Sequence, residues 1–125
     1  MSKDDLIILA VDDDLINLKL LKSMLMKTGN VKEVIEAKNG SDAIGVLKAR
    51  DDIDLILLDI IMPIMGGIEM LKVVRADDNL RQLPIIVLTT DETKKSEALE
   101  WGANGFLMKP IKKDDLMQKM ETVFV

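Results

Sequence analysis

Histidine and cysteine are both missing from the 125 residues of this chain. Without cysteine there is no disulfide framework and no thiolate site. Without histidine the chain has no His-based nucleophilic triad, no His-ligated zinc and no phosphohistidine of its own. Aromatic residues are scarce too, with two phenylalanines and one tryptophan, too few for a base-stacking surface. No apolar run approaches the ~20 residues of a membrane span, and the polar start "MSKDD" lacks the pattern of a signal peptide.

The charge balance is mildly acidic, with a formal net charge of −5. A basic face is what attracts a phosphate backbone, so the sequence predicts no direct nucleic-acid binding and no membrane partner. Hydrophobic residues make up 48% of the chain, enough for a core, and the length fits one domain. We find no repeat or linker and expect a single domain over residues 1–125.

Continuous apolar runs alternate with helical patterns along the chain. Such runs suit strands that are buried on both faces, as in a parallel sheet. Five strand–helix repeats predict an α/β fold with right-handed crossovers. The predicted strands are 6–11, 31–37, 53–59, 84–90 and 105–109.

Chemically active side chains stand where these predicted strands end. Ligands of open parallel sheets bind outside the carboxyl ends of the strands, so the side chains at those ends should meet at one edge. The residues at this edge are Asp12, Asp13, Asp59, Thr89, Thr90 and Lys109.

Three neighbouring carboxylates repel one another unless a cation lies among them. Mg2+, or Mn2+ in its place, takes oxygen ligands and suits Asp12, Asp13 and Asp59. Lys109 supplies a point charge for a phosphate oxygen, and the Thr89 hydroxyl supplies a hydrogen-bond donor. This set fits phosphoryl transfer. Because a carboxylate can act as the nucleophile, Asp59, alone at the end of its strand, is the predicted phosphoacceptor.

The residues also resemble a known family, the receiver domain of response regulators in two-component (phosphorelay) signalling, above all the single-domain chemotaxis type. The resemblance covers essentially the whole chain. It is carried by four segments in order: "VDDD", "LILLDIIMPIMGGIEML", "PIIVLTT" and "GANGFLMKP".

The resemblance implies a flavodoxin-like three-layer sandwich, with a parallel sheet in the order 2-1-3-4-5 flanked by five helices. It implies that Asp59 accepts a phosphoryl group from a sensor histidine kinase or a histidine phosphotransfer protein. Asp12, Asp13, Asp59 and the backbone carbonyl of Ile61 would hold Mg2+. Thr89 and Lys109 would contact the phosphoryl oxygens, and the Lys109-Pro110 bond would be cis.

The resemblance also implies a switch. Thr89 would move toward the phosphoryl group, and Phe106, at a place where tyrosine is common, would turn inward. The face formed by the fourth helix, fifth strand and fifth helix would then change shape and alter binding of a downstream protein, or form a homodimer. The implied location is the cytoplasm, and the implied phosphoprotein is not an enzyme beyond limited self-phosphorylation and autodephosphorylation.

Simpler interpretations stand beside these. Asp12 and Asp13 could be helix caps, and we expect Asp14 to cap the first helix. Lys109 could be a plain surface lysine, and Thr89 and Phe106 ordinary strand residues. For Trp101, core packing is the expected role, with a partner contact on the output face as the alternative.

Three other functions compete with the switch. A magnesium-dependent phosphohydrolase would need a second acid two residues after the nucleophile, where this chain has Ile61. A receiver-like interaction module would never be phosphorylated. The chain could also be a receiver excised from a larger regulator with its own output domain.

Overall fold

Strands and helices alternate as the sequence predicts. The computed structural model describes residues 4–124. The elements are β1 (Leu6–Val11), α1 (Leu15–Met26), β2 (Val31–Ala37), α2 (Gly40–Ala49), β3 (Leu55–Asp59), α3 (Gly67–Ala76), β4 (Ile85–Thr89), a 3-10 turn (Glu92–Lys94), α4 (Lys95–Glu100), β5 (Gly105–Met108) and α5 (Lys113–Val123).

The five strands form one sheet in the order β2-β1-β3-β4-β5, and each neighbouring pair is parallel. This confirms the α/β fold and the predicted order. The first two strands have the predicted bounds. β3, β4 and β5 are one or two residues shorter than predicted at one or both ends. Pro84 lies just outside β4, since proline has no N–H to contribute to a strand ladder.

Two apolar layers cover the two faces of the sheet. One layer joins the sheet to α2, α3 and α4, and the other joins it to α1 and α5. The residues of β1, β3 and β4 are buried throughout, whereas the edge strands β2 and β5 contain both buried and more open positions. This is the burial expected for the central strands of a sheet that is covered on both faces.

Within residues 4–124, no helix is both long enough and apolar enough to cross a membrane.

Candidate functional site

Four neighbouring strands bring the predicted site residues to one edge of the sheet. Asp59 and Thr89 are the last residues of β3 and β4, while Asp12 and Lys109 directly follow β1 and β5. Since β1, β3, β4 and β5 are adjacent in that order, their carboxyl ends form one continuous rim, as the sequence predicts.

The acidic residues meet as expected. One carboxylate oxygen each from Asp12, Asp13 and Asp59 lies within 4.8 Å of the others. Asp12 and Asp59 are buried, at 1% and 6% exposure, while Asp13 is exposed. The cluster therefore consists of two carboxylates shielded from solvent and one carboxylate at the solvent-exposed side.

Asp14 has a separate role. It is the N-cap of α1, where its side chain accepts hydrogen bonds from the backbone N–H groups of Ile16 (2.9 Å) and Asn17 (3.4 Å). This confirms the predicted cap. The Asp14 N–H in turn donates to Asp12 Oδ1 at 2.9 Å, so the cap and the acidic cluster are joined by the turn that follows β1.

Lys109 is the cation of the site. Its ammonium lies 2.8 Å from Asp12 Oδ2 and 3.3 Å from Asp59 Oδ1, and its side chain is only 16% exposed. The reading of Lys109 as a plain surface residue is therefore wrong. The Lys109 backbone N–H donates to the Thr89 carbonyl at 2.8 Å, which places the start of this side chain against the end of β4.

Burial and charge shift the protonation of these groups. Burial raises the pKa of Asp59 to about 6; the nearby Lys109 ammonium opposes the rise and the Asp12 carboxylate adds to it. Burial also disfavours the charged form of Lys109, but the hydrogen bond to Asp12 and the charge of Asp59 outweigh it and raise the pKa of Lys109. At neutral pH the site therefore holds an ionised Asp59 beside an ammonium.

Thr89 is 1% exposed at the end of β4. Its hydroxyl oxygen accepts a hydrogen bond from the Asp91 backbone N–H at 3.2 Å. A hydroxyl that accepts through its oxygen still has its own hydrogen to donate. Thr90, the next residue, is exposed.

Of the two aromatic residues singled out in the sequence, Trp101 directly follows α4 and Phe106 lies on β5. Phe106 is half-buried against the core layer under α3 and α4, and the Lys95 ammonium lies 6.0 Å from its ring centre. Trp101 is 42% exposed, and the Lys72 ammonium lies 4.5 Å from its ring centre. Core packing of Trp101 was therefore the wrong expectation, because the C-terminal end of the short helix α4 leaves its ring at the surface beside α3.

The loop between β3 and α3 depends on a glycine that the sequence signals only as a helix start. A Cβ at Gly67 would overlap the Asp59 backbone oxygen and come within 2.7 Å of Ile60 Cα. The loop can therefore fold back against the end of β3 only with glycine there. Two large apolar side chains on this loop, Ile61 and Ile64, are 60% and 81% exposed.

A cavity of about 480 Å³ opens beside the acidic cluster. Asp12, Thr90 and Lys109 line one part, and apolar residues of α1 and the β5–α5 loop line the rest, including Leu20 and Ile111. The site thus continues into an apolar groove along α1.

The donor set fits a hard divalent cation. Three carboxylates and one ammonium leave two negative charges in a partly buried site. Mg2+ is a doubly charged ion that prefers carboxylate oxygens and keeps several of its waters. The open side of the cluster at Asp13 leaves room for those waters.

Comparison with known protein families shows the class of protein to which this chain belongs. The model of the response regulator receiver domain family matches residues 8–121, and the chain belongs to this family. Its members are signalling proteins and, as a rule, not metabolic enzymes.

Chemotaxis proteins are among its relatives. The chain is 35% identical over 118 residues to chemotaxis protein CheY1 of Helicobacter pylori, covering 93% of this chain and 94% of that protein. It is 34% identical to chemotaxis protein CheY-3 of Vibrio cholerae, covering 94% and 90% of the two chains.

Solved structures agree with these matches. The chemotaxis response regulator CheY4 of Vibrio cholerae superimposes with a TM-score of 0.85 at 32% identity, covering 94% of this chain and 98% of that one. A chain of the CheX–CheY–BeF3–Mg2+ complex of Borrelia burgdorferi gives a TM-score of 0.85 at 29% identity, covering 96% and 90%. The chain is therefore a receiver domain similar to chemotaxis-type regulators.

Proposed function

We propose that this protein is a phosphorylation-controlled signalling switch in which Asp59 accepts the phosphoryl group. The observation that supports this most strongly is the position of Lys109, whose ammonium contacts both Asp12 and Asp59 within a cluster of three carboxylates. A nucleophile, a cation and a surplus of hard oxygen ligands are what phosphoryl transfer to a carboxylate needs. We also propose that residues 1–125 form one receiver domain and that the protein works in the cytoplasm.

In the proposed reaction, an Asp59 carboxylate oxygen attacks the phosphorus of a phosphohistidine on a partner protein. The phosphorus–nitrogen bond breaks, and its electron pair leaves with the imidazole nitrogen. Lys109 and the Thr89 hydroxyl bind the transferred phosphoryl oxygens, since an ammonium and a hydroxyl hydrogen both donate to oxygen. The pKa of Asp59, about 6, keeps the nucleophile ionised at neutral pH.

Asp12, Asp13, Asp59 and the backbone carbonyl of Ile61 are the proposed ligands of Mg2+, with Mn2+ as a substitute. When bound, the ion neutralises charge on the phosphoryl oxygens. The similar Borrelia structure is a complex with BeF3 and Mg2+, which supports Mg2+ as the ion.

The proposed donor is a sensor histidine kinase or a histidine phosphotransfer protein. The surface around the site supports a protein donor: Leu15, Ile16 and Leu20 on α1 are 58%, 71% and 60% exposed. Together with the apolar part of the cavity, these side chains form an exposed hydrophobic surface of the kind that protein partners cover.

The proposed output is a change on the face formed by α4, β5 and α5, with Thr89 and Phe106 as its moving parts. Exposed Leu99 and Met108, at 44% and 40%, belong to α4 and β5, and half-buried Phe106 also belongs to β5. A phosphoryl group that draws Thr89 inward gives Phe106 space to turn, and the altered face then changes the binding of a downstream protein. A second copy of the chain is the alternative occupant of this face.

Intact-protein mass spectrometry after incubation with acetyl phosphate tests the proposal. We expect a single phosphoryl mass gain in the wild type with Mg2+ and none without it. Asp59→Asn should show no gain, while Asp78→Asn, an exposed residue after α3, should behave as the wild type does. If the wild type gains no mass under any condition, the protein is a receiver-like module that is not phosphorylated.

A further inference from the structure

The loop between β3 and α3 is closed at its base and attached to helix α2 through Met65. At the base, the Gly67 N–H donates to the Ile60 carbonyl at 2.8 Å. Farther along the loop, the Met65 carbonyl accepts a hydrogen bond from the Gly40 N–H at 3.0 Å. Ile61, whose backbone carbonyl is a proposed Mg2+ ligand, lies between Ile60 and Met65 in the chain. These two hydrogen bonds therefore restrict where its carbonyl can lie.

Gly40, the first residue of α2, leaves no space for a side chain beside this loop. The residue is buried. A Cβ there would lie 2.7 Å from Met65 Cγ, 2.8 Å from Met65 Sδ and 2.9 Å from the Met65 carbonyl oxygen. Non-bonded carbon atoms pack at about 3.5–4.0 Å, so a side chain at this position would push Met65 and its loop away from α2.

The start of α2 is itself held in place. Asn39, 7% exposed, is its N-cap, and Asn39 Oδ1 accepts a hydrogen bond from the Asp42 N–H at 2.8 Å. The Asn39 carbonyl accepts from the N–H of Ala43 at 3.1 Å, and Ala43 is buried in the core layer on this side of the sheet. Gly40 therefore offers its N–H to the loop from a helix end that is anchored in the core.

We propose that Gly40 is a positioning residue for the metal site, because it holds the loop that carries Ile61 against the first turn of α2. This inference rests on the proposed function, in which the Ile61 carbonyl binds Mg2+. Gly40 acts through Met65 rather than by binding the ion. Replacing groups that orient the ligands of a metal typically lowers metal affinity by about 10–100-fold. Filling the space at Gly40 should therefore weaken Mg2+ binding.

Two glycines of α2 provide a matched pair of variants. Gly40→Ala adds a methyl group against Met65, whereas Gly45→Ala adds it where no other part of residues 4–124 lies within 4 Å. Alanine has the higher helix propensity in both cases. Met65→Ala removes Cγ and Sδ, which are two of the three atoms that the new Cβ would meet. Combining it with Gly40→Ala should therefore relieve part of the overlap.

The measurement is Mg2+ binding by isothermal titration calorimetry, with the folding of each variant checked by circular dichroism. Gly40→Ala should bind Mg2+ about tenfold or more weakly than the wild type. Gly45→Ala and Met65→Ala should bind it as the wild type does, since both keep the loop attached to α2. Adding Met65→Ala to Gly40→Ala should recover about threefold or more of the lost affinity, as expected for residues in contact.

Asn39→Ala tests the same attachment without adding an atom. It removes the side chain that caps α2, so the Gly40 N–H is held less firmly against the loop, and Mg2+ binding should weaken here too. This variant decides the question if Gly40→Ala does not fold.

Wild-type affinity in folded Gly40→Ala would refute the positioning role, as would wild-type affinity in Asn39→Ala if Gly40→Ala is unfolded. An equal loss in Gly45→Ala, or no recovery in the double variant, would also refute it. Intact mass after incubation with acetyl phosphate is recorded in parallel. A wild type that gains no phosphoryl mass refutes the proposed function, while the Mg2+ affinities still decide the role of Gly40. A wild type that binds no Mg2+ refutes the metal assignment and the role of Gly40 together.

Discussion

Replacing Asp59 by asparagine should make the protein more stable in the absence of divalent cations. Asp59 is 6% exposed, and burial raises its pKa from 3.8 to about 6. The folded state therefore binds more protons than the unfolded state between about pH 4 and pH 6, and stability falls as the pH rises through that window. Asparagine has no charge to desolvate, so the variant escapes this loss.

The size of the effect follows from the pKa difference. A shift from 3.8 to about 6 corresponds to about 3 kcal/mol at pH 7 and about 0.5 kcal/mol at pH 4. The figure already includes the attraction of Lys109, because that ammonium is one of the causes that set the pKa of Asp59. It is an upper bound, since the cluster is open to water at Asp13.

Urea unfolding followed by circular dichroism, with EDTA present, measures the difference at pH 4 and pH 7. We expect Asp59→Asn to exceed the wild type by about 1–3 kcal/mol at pH 7 and by much less at pH 4. Mg2+ should then stabilise the wild type more than the variant. A variant no more stable than the wild type at pH 7, or a gain that does not depend on pH, would refute the electrostatic reasoning.

Three further substitutions, one of them with a matched control in α2, test the packing and charge of the site through urea unfolding. Gly67→Ala should lower the free energy of unfolding by more than about 2 kcal/mol, because the added Cβ would overlap backbone atoms. Gly45→Ala, which has open space around it in α2, should raise the free energy of unfolding by about 0.5–1 kcal/mol. Equal effects of the two substitutions would contradict this reasoning. Ile64 has φ +69°, so Ile64→Asn should gain about 1 kcal/mol, and a loss would contradict the strain. Lys109→Met should lower the free energy of unfolding by about 3 kcal/mol in EDTA and by less in Mg2+. A loss of stability that Mg2+ leaves unchanged would show that charge is not the cause.

The sheet and the cluster of carboxylates were predictable from the sequence. Apolar runs such as 6–11 and 31–37 have the length and composition of strands, and β1 and β2 have those bounds. Because parallel strands end at a common edge, the residues that follow them had to meet. Asp12, Asp59 and Lys109 do meet there.

The parts that the sequence did not disclose depend on tertiary contacts. The exposure of Trp101 follows from the short α4 and its neighbour Lys72 on α3, and no local pattern reports such a contact. The Arg75 hydrogen bonds to Gly102 and Asn104 span nearly thirty positions of sequence, beyond the reach of periodicity. The roles of Thr89 and Phe106 in switching stay predictions.

Chemical location of the phosphoryl group tests the central claim most directly. Borohydride reduces an aspartyl phosphate to homoserine, so treated protein can be digested with trypsin and sequenced by tandem mass spectrometry. We predict homoserine at Asp59, in the peptide 51–72, only after incubation with acetyl phosphate and Mg2+. Homoserine at Asp12 or Asp13, in the peptide 4–19, or none in any peptide, would contradict the assignment of Asp59 as the phosphoacceptor.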